Sequence, residues 1–157
     1  MTNARITPET NGVRYGLFAA AGMIVYFLIA SLTGLTDRIE FSFLNGVILA
    51  VGICFAIANF KRYCQDRMPY LQGFGTGIIT AIVASVVFGI FFVVYAGLLN
   101  PKIMQNIRTW DRLGFDLSIT VAVLAILLQG AMAGVIISLV AMQYYKSPDH
   151  KPITGIE

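Results

Sequence analysis

The residue types that usually carry chemistry are few in this chain and poorly placed for it. One histidine, His150, two cysteines, Cys54 and Cys64, and eight acidic residues are the whole supply of nucleophiles, metal ligands and acid–base groups. A lone tail histidine excludes bis-histidine haem ligation inside a helical bundle. Cysteine, histidine and acidic residues do not cluster along the chain, so no metal site is expected. Neither G-x-S-x-G nor H-E-x-x-H occurs. Cys54 and Cys64 are ten residues apart; on one helix that is about 15 Å, too far for a disulfide. Two unpaired thiols are expected, with S-acylation of Cys64 as a minor alternative. The chain is expected not to be an enzyme and to carry no cofactor. Lipid chemistry would have to rest on loop residues such as Asp111 or Asp116 alone.

The polar residues that do stand inside apolar surroundings are neutral. Gln129 is the deepest amide, Asn45 stands nearer the end of its apolar run, and Tyr26 has a hydroxyl that needs a partner. Gln129 serves as interhelical glue, or it contacts a ligand or a water path. An interhelical bond of this kind is worth about 0.6 to 2 kcal/mol. Ser85, Thr80 and Ser138 are expected to bond back to their own helix carbonyls.

These residues are positioned by four runs free of Lys, Arg, Asp, Glu and His: about 16–35, 41–60, 73–99 and 117–143. Charged residues make up 12% of the chain, about half the roughly 25% of soluble domains. A helix needs about 20 residues to cross a hydrocarbon core of about 30 Å, and each run is long enough. Barrel strands would alternate apolar and polar residues; stretches such as 78–94 do not. The expectation is an all-α, polytopic membrane protein with four transmembrane helices in one domain over 1–157. Residues 144–157 form a flexible cytoplasmic tail. The first run is too long for a secretory signal core and lacks a clear cleavage site.

Small residues recur at every fourth position. Gly73, Gly77, Ala81, Ser85 and Gly89 mark the third span; Gly130, Gly134 and Ser138 the fourth; Gly46, Ala50, Cys54 and Ala58 the second; and Gly12, Gly16 and Ala20 the first. Residues four apart share a helix face, and lipid supplies no hydrophobic drive between helices, so close backbone approach must hold them together. Such rows serve tight packing; the alternative is a pore lining or a docking groove. The third span, with the longest row, is the expected central helix. Spans three and four look longer than the others and must tilt or project.

Between them, Asn100-Pro101 reads as a helix cap and first position. Ile103, Met104, Ile107, Trp110 and Leu113 then fall on one face, and Lys102, Gln105, Arg108, Thr109 and Arg112 on the other. This predicts a short amphipathic interfacial helix anchored by Ile103, Ile107 and Trp110. It joins two spans, or it forms a contact surface for a partner.

Seven Lys and Arg fall on the side of the termini (Arg5, Arg14, Lys61, Arg62, Arg67, Lys146, Lys151) and four on the other (Arg38, Lys102, Arg108, Arg112). Positive charge marks the cytoplasmic side, so both termini are expected there. Tyr15, Tyr63, Tyr70, Tyr144 and Tyr145 fall at the same boundary, as a membrane aromatic belt does. The net charge of +3 suits anionic lipid, and no nucleic-acid partner is expected.

The segment Tyr70-Leu71-Gln72-Gly73-Phe74-Gly75-Thr76-Gly77, with Val94-Tyr95-Ala96-Gly97-Leu98-Leu99-Asn100-Pro101 at the far end of the same span, resembles a family of small four-helix membrane proteins. That family is found mainly in Bacteroidota and catalogued as a domain of unknown function. The resemblance implies a bacterial inner-membrane protein and carries over no catalytic residues. Neutral spans and small-residue grooves point to a non-catalytic accessory or assembly subunit of a larger membrane complex. Its partners would be lipid and other membrane proteins or copies of itself. The alternative is a small oligomeric channel or transporter for an ion or small solute, motivated by Gly, Ser and Thr in the third span and by Gln129.

Overall fold

The computed structural model describes residues 7–33, 42–64, 68–99 and 119–145. They form four helices, α1 Pro8–Leu32, α2 Ser42–Tyr63, α3 Tyr70–Val94 and α4 Ile119–Tyr145, with a five-residue π-helical turn, Tyr95–Leu99, continuing α3. There is no strand among the described residues. Each helix is long and apolar enough to cross a membrane, so the chain is an all-α, multi-pass membrane protein. The expected interfacial helix with Ile103, Ile107 and Trp110 lies outside the described residues, as does the tail beyond Tyr145.

The first helix begins well before the uncharged run that marks it in the sequence. Thr7 caps it: its hydroxyl accepts from the Thr10 N–H at 3.3 Å. Pro8 takes the first helical position, where its missing N–H costs nothing. The segment carrying Glu9, Asn11 and Arg14 therefore coils as helix, because charge excludes residues from hydrocarbon, not from a helix. At the other end the Thr33 hydroxyl donates to the Ile29 carbonyl at 2.9 Å, tying off a carbonyl of the last turn. The fourth helix runs through Tyr144 and Tyr145, two residues into the expected tail.

Register follows from which glycine meets which neighbour. Gly12 and Gly16 of α1 face Thr76–Ile79 and Thr80–Val83 of α3, so these two helices are parallel. Gly52 of α2 meets Ala19 of α1, and Gly22 meets Ile48, so this pair is antiparallel. Along α3 and α4 the partners run Gly73–Met142, Gly77–Ser138, Ala81–Gly134 and Ser85–Gly130, again antiparallel. The bundle is therefore up-down-up-down, and the start of α1 and the end of α4 share one end of it. The third helix packs against all three others, most extensively against α1 and α4. Within its apolar stretch 44% of residues are buried, against 17% for α4. The third helix is central and α4 is the most exposed.

Candidate functional site

Two seams hold the interior, both built on backbone proximity. In the first, α1 closes on α3 through Gly12 and Gly16. A Cβ on Gly16 would stand 2.9 Å from the Thr80 carbonyl oxygen, and one on Gly12 would stand 3.1 Å from that of Thr76. Only a hydrogen fits there. The Thr76 hydroxyl donates to the Gln72 carbonyl and the Thr80 hydroxyl to the Thr76 carbonyl, each at 2.8 Å. Both buried threonines thus direct their protons into their own helix.

The second seam joins α3 to α4 and has a local twofold character. Ala81 meets Gly134 at its centre; one turn away on one side Gly77 meets Ser138, and on the other Ser85 meets Gly130. At each glycine a Cβ would overlap the facing side chain. Each serine oxygen therefore lies where the facing glycine's Cα–H points, the geometry of a weak C–H···O contact that recurs between close helices. Ser138 is fully buried, and its hydroxyl has no hydrogen-bond partner among the described residues. It does not bond back to its own helix as Thr80 does. Gly89 ends the row more loosely, with Val123 as its nearest neighbour at 3.7 Å.

The second helix packs by a different rule. Leu49, Ile53, Ala56, Ile57 and Phe60 form its buried face. Gly46 is exposed, with nothing within 4 Å of where a Cβ would stand, and Ala50 is only half-buried. The helix-packing role expected of Gly46 therefore falls instead to Gly52, against Ala19. The fourfold spacing of Gly46, Ala50, Cys54 and Ala58 selects a face by residue size, but here large side chains fill the core.

Polar contacts between side chains and across helices also tie the bundle together. The Asn11 amide, buried in α1, donates to the Ala56 carbonyl of α2 at 2.8 Å. Ser31 and Tyr95 share a 2.6 Å hydroxyl–hydroxyl bond between α1 and the π-turn. Beside that bond, Phe27 stands edge-on to Phe88, Phe91, Phe92 and Tyr95, at centroid distances of 5.2 to 6.1 Å. Such pairs each add about 0.5–1.5 kcal/mol beyond area burial. Sequence reasoning missed Asn11, which lies outside the uncharged run, and Phe27, whose neighbours only the register reveals. Tyr26 is half-buried and is not without a partner. The Asn45 carbonyl oxygen is buried and finds no partner among the described residues.

Gln129 is not in the interior. It is exposed, on the outward face of α4, flanked by Leu124, Leu128, Met132 and Ile136. It makes no hydrogen bond among the described residues. It stands three residues from the midpoint of Ile119–Tyr145, hence about 5 Å from the middle of the span. In a helix centred on a hydrocarbon core of about 30 Å, that position lies within the hydrocarbon.

Among the described residues no three His, Cys, Asp or Glu come together. Cys54 and Cys64 are free and half-buried. Burial raises the Cys64 thiol above its ordinary value. No curated protein and no solved structure matches the chain. One family does: its pattern of residues covers 14–109, which takes in most of α1, all of α2 and α3, and stops before α4. With four apolar helices in that arrangement, the chain belongs to the family described as protein of unknown function DUF4199.

Proposed function

We propose that this is a non-catalytic accessory or assembly subunit of a larger membrane complex, and that the outward face of α4 is its docking surface. Gln129 carries the proposal. An amide left without partners in hydrocarbon costs several kcal/mol, while a bond across a helix pair in the membrane returns about 0.6 to 1.7 kcal/mol. The occupant that fits is a membrane-spanning helix of another protein, with small residues for close approach and one polar side chain at mid-depth. The interior supports this reading over an oligomeric channel, because Thr76 and Thr80 spend their hydroxyl protons on their own carbonyls. The charge distribution supports a bacterial inner membrane with both tails cytoplasmic. The amphipathic pattern from Lys102 to Leu113 supports an interfacial helix on the opposite side.

The test is photo-crosslinking in native membranes. A photoreactive side chain at Met132, 64% exposed beside Gln129, should trap a second membrane protein, and Gln129→Leu should weaken docking by about 3- to 18-fold and reduce the product accordingly. The same probe at Phe18 on α1, 62% exposed, is the control. Equal trapping at both positions, or none at Met132, would refute the docking face. Solute flux in liposomes that falls on Gln129→Leu would favour the channel.

A further inference from the structure

The docking face of α4 has a direction as well as a polar centre. Ala125, Gln129, Met132, Ile136 and Leu139 are all exposed, and they follow one another at steps of four, three, four and three residues. That is a 3.5-residue repeat, the spacing that holds one side of a helix against a partner along its whole length. A second path through Gln129 runs at constant steps of four, from Ala125 to Ala133 and Ile137. A right-handed crossing would follow it. The bundle already occupies that path: Ala133 and Ile137 pack against the buried core. The small residues that suit a close right-handed crossing, Gly130, Gly134 and Ser138, all face α3. Only the 3.5-residue path is open to a partner.

The face is also neutral. Ile119–Tyr145 contains no Lys, Arg, Asp, Glu or His, so a charged partner side chain would meet no counter-ion on α4. The Gln129 carboxamide both donates and accepts. An Asn or Gln opposite it does the same in the same plane, so two reciprocal bonds close at once.

We propose that a membrane-spanning helix of another protein in the complex lies along this path in a left-handed crossing of about 20°, with an Asn or Gln opposite Gln129. The inference rests on the docking reading above. On that reading a second copy of this chain is the wrong occupant, because it would cover the same face on both copies and leave neither a surface for the complex. From Ala125 to Leu139 the contact runs about 21 Å at 1.5 Å per residue.

A scan of single photoreactive side chains in native membranes tests this. The probes stand at Ala125, Met132, Ile136 and Leu139 on the path, and at Leu124 off it. Leu124 is 55% exposed and Ile136 58%, so access is matched. The four path positions should trap one and the same partner, and the product should be lost at Leu124. Mass spectrometry of the product should place an Asn or Gln of the partner helix at the depth of Gln129. Changing that residue to Leu should cut trapping at Met132 by about 3- to 18-fold, as Gln129→Leu does, and the two changes together should cut it no further. Trapping at Leu124 as strong as at Ile136, with Met132 still active, would overturn the left-handed path and leave the docking face standing. A partner helix without Asn or Gln at that depth, or a product made only of two copies of this chain, would overturn the proposed occupant. No product at Met132 would remove the docking face itself.

Discussion

Exchanging one methyl group across the α3–α4 seam should reveal whether these helices meet as described. A Cβ on Gly134 would overlap the Ala81 side chain. Both residues are buried, and the next turns on either side are fixed by Gly77–Ser138 and Ser85–Gly130. The helices therefore have to separate to admit Gly134→Ala. Overpacking of this kind costs about 1–3 kcal/mol. Ala81→Gly alone removes a buried methyl, at about 1 kcal/mol. The double variant moves the methyl from one helix to the other and restores the volume, so it should return close to the parent. The coupling should be about 3 kcal/mol, at the upper end of the range seen for residues in contact. The assay is titration with SDS from a mild detergent, followed by tyrosine near-UV circular dichroism. The spans stay helical in that denatured state, because their backbone has no other way to satisfy its polar groups. Helix propensity therefore nearly cancels, and packing dominates. Gly46→Ala, with open space at its Cβ, is the control and should lie within about 0.5 kcal/mol of the parent. Additive single effects, or a Gly46→Ala as damaging as Gly134→Ala, would refute the seam.

Other perturbations probe the polar ties and the thiol. Asn11→Ala removes the bond to the Ala56 carbonyl and should cost about 1 kcal/mol in the same titration. Asn11→Asp should cost more, because an ionised carboxylate cannot donate to that carbonyl. Tyr95→Phe loses the Ser31 bond but keeps the ring beside Phe27. It should cost less than about 1 kcal/mol, and Tyr95→Leu clearly more. Cys64 has its thiol pushed up by burial, so the fold disfavours the thiolate. Alkylation near neutral pH should be slower in the folded protein than in the unfolded chain. The small stability contribution should be complete below the unfolded thiol's pKa and fade as pH rises through the folded value.

What the sequence discloses here depends on which physical signal each feature leaves. Charge exclusion marks hydrocarbon sharply, so the four spans are legible. It marks helix ends poorly, and α1 begins at Pro8 because Thr7 caps a polar first turn that projects beyond the apolar run. The rows from Gly73 to Gly89 and from Gly130 to Ser138 are legible because close helix approach tolerates only small residues, and the structure brings these two rows against each other. The buried face of α2 is not legible. A span apolar on every side offers no polar face to orient it, so Leu49, Ile53, Ile57 and Phe60 look no different from the exposed Val47, Val51 and Phe55. Gln129 shows both halves of this rule. Its depth can be counted along the run, but its outward direction follows only from the register of α4 on α3.

The most direct test of the whole arrangement is the sidedness of four positions. In a variant with Cys54 and Cys64 replaced by alanine, single cysteines are placed at Glu9, Thr33, Thr120 and Tyr144, all exposed and all near helix ends. They are then labelled with a membrane-impermeant maleimide in intact cells and in inverted vesicles. Four antiparallel spans predict that Glu9→Cys and Tyr144→Cys label together from one face, and Thr33→Cys and Thr120→Cys together from the other. Glu9→Cys and Tyr144→Cys labelling from opposite faces would contradict the four-span bundle.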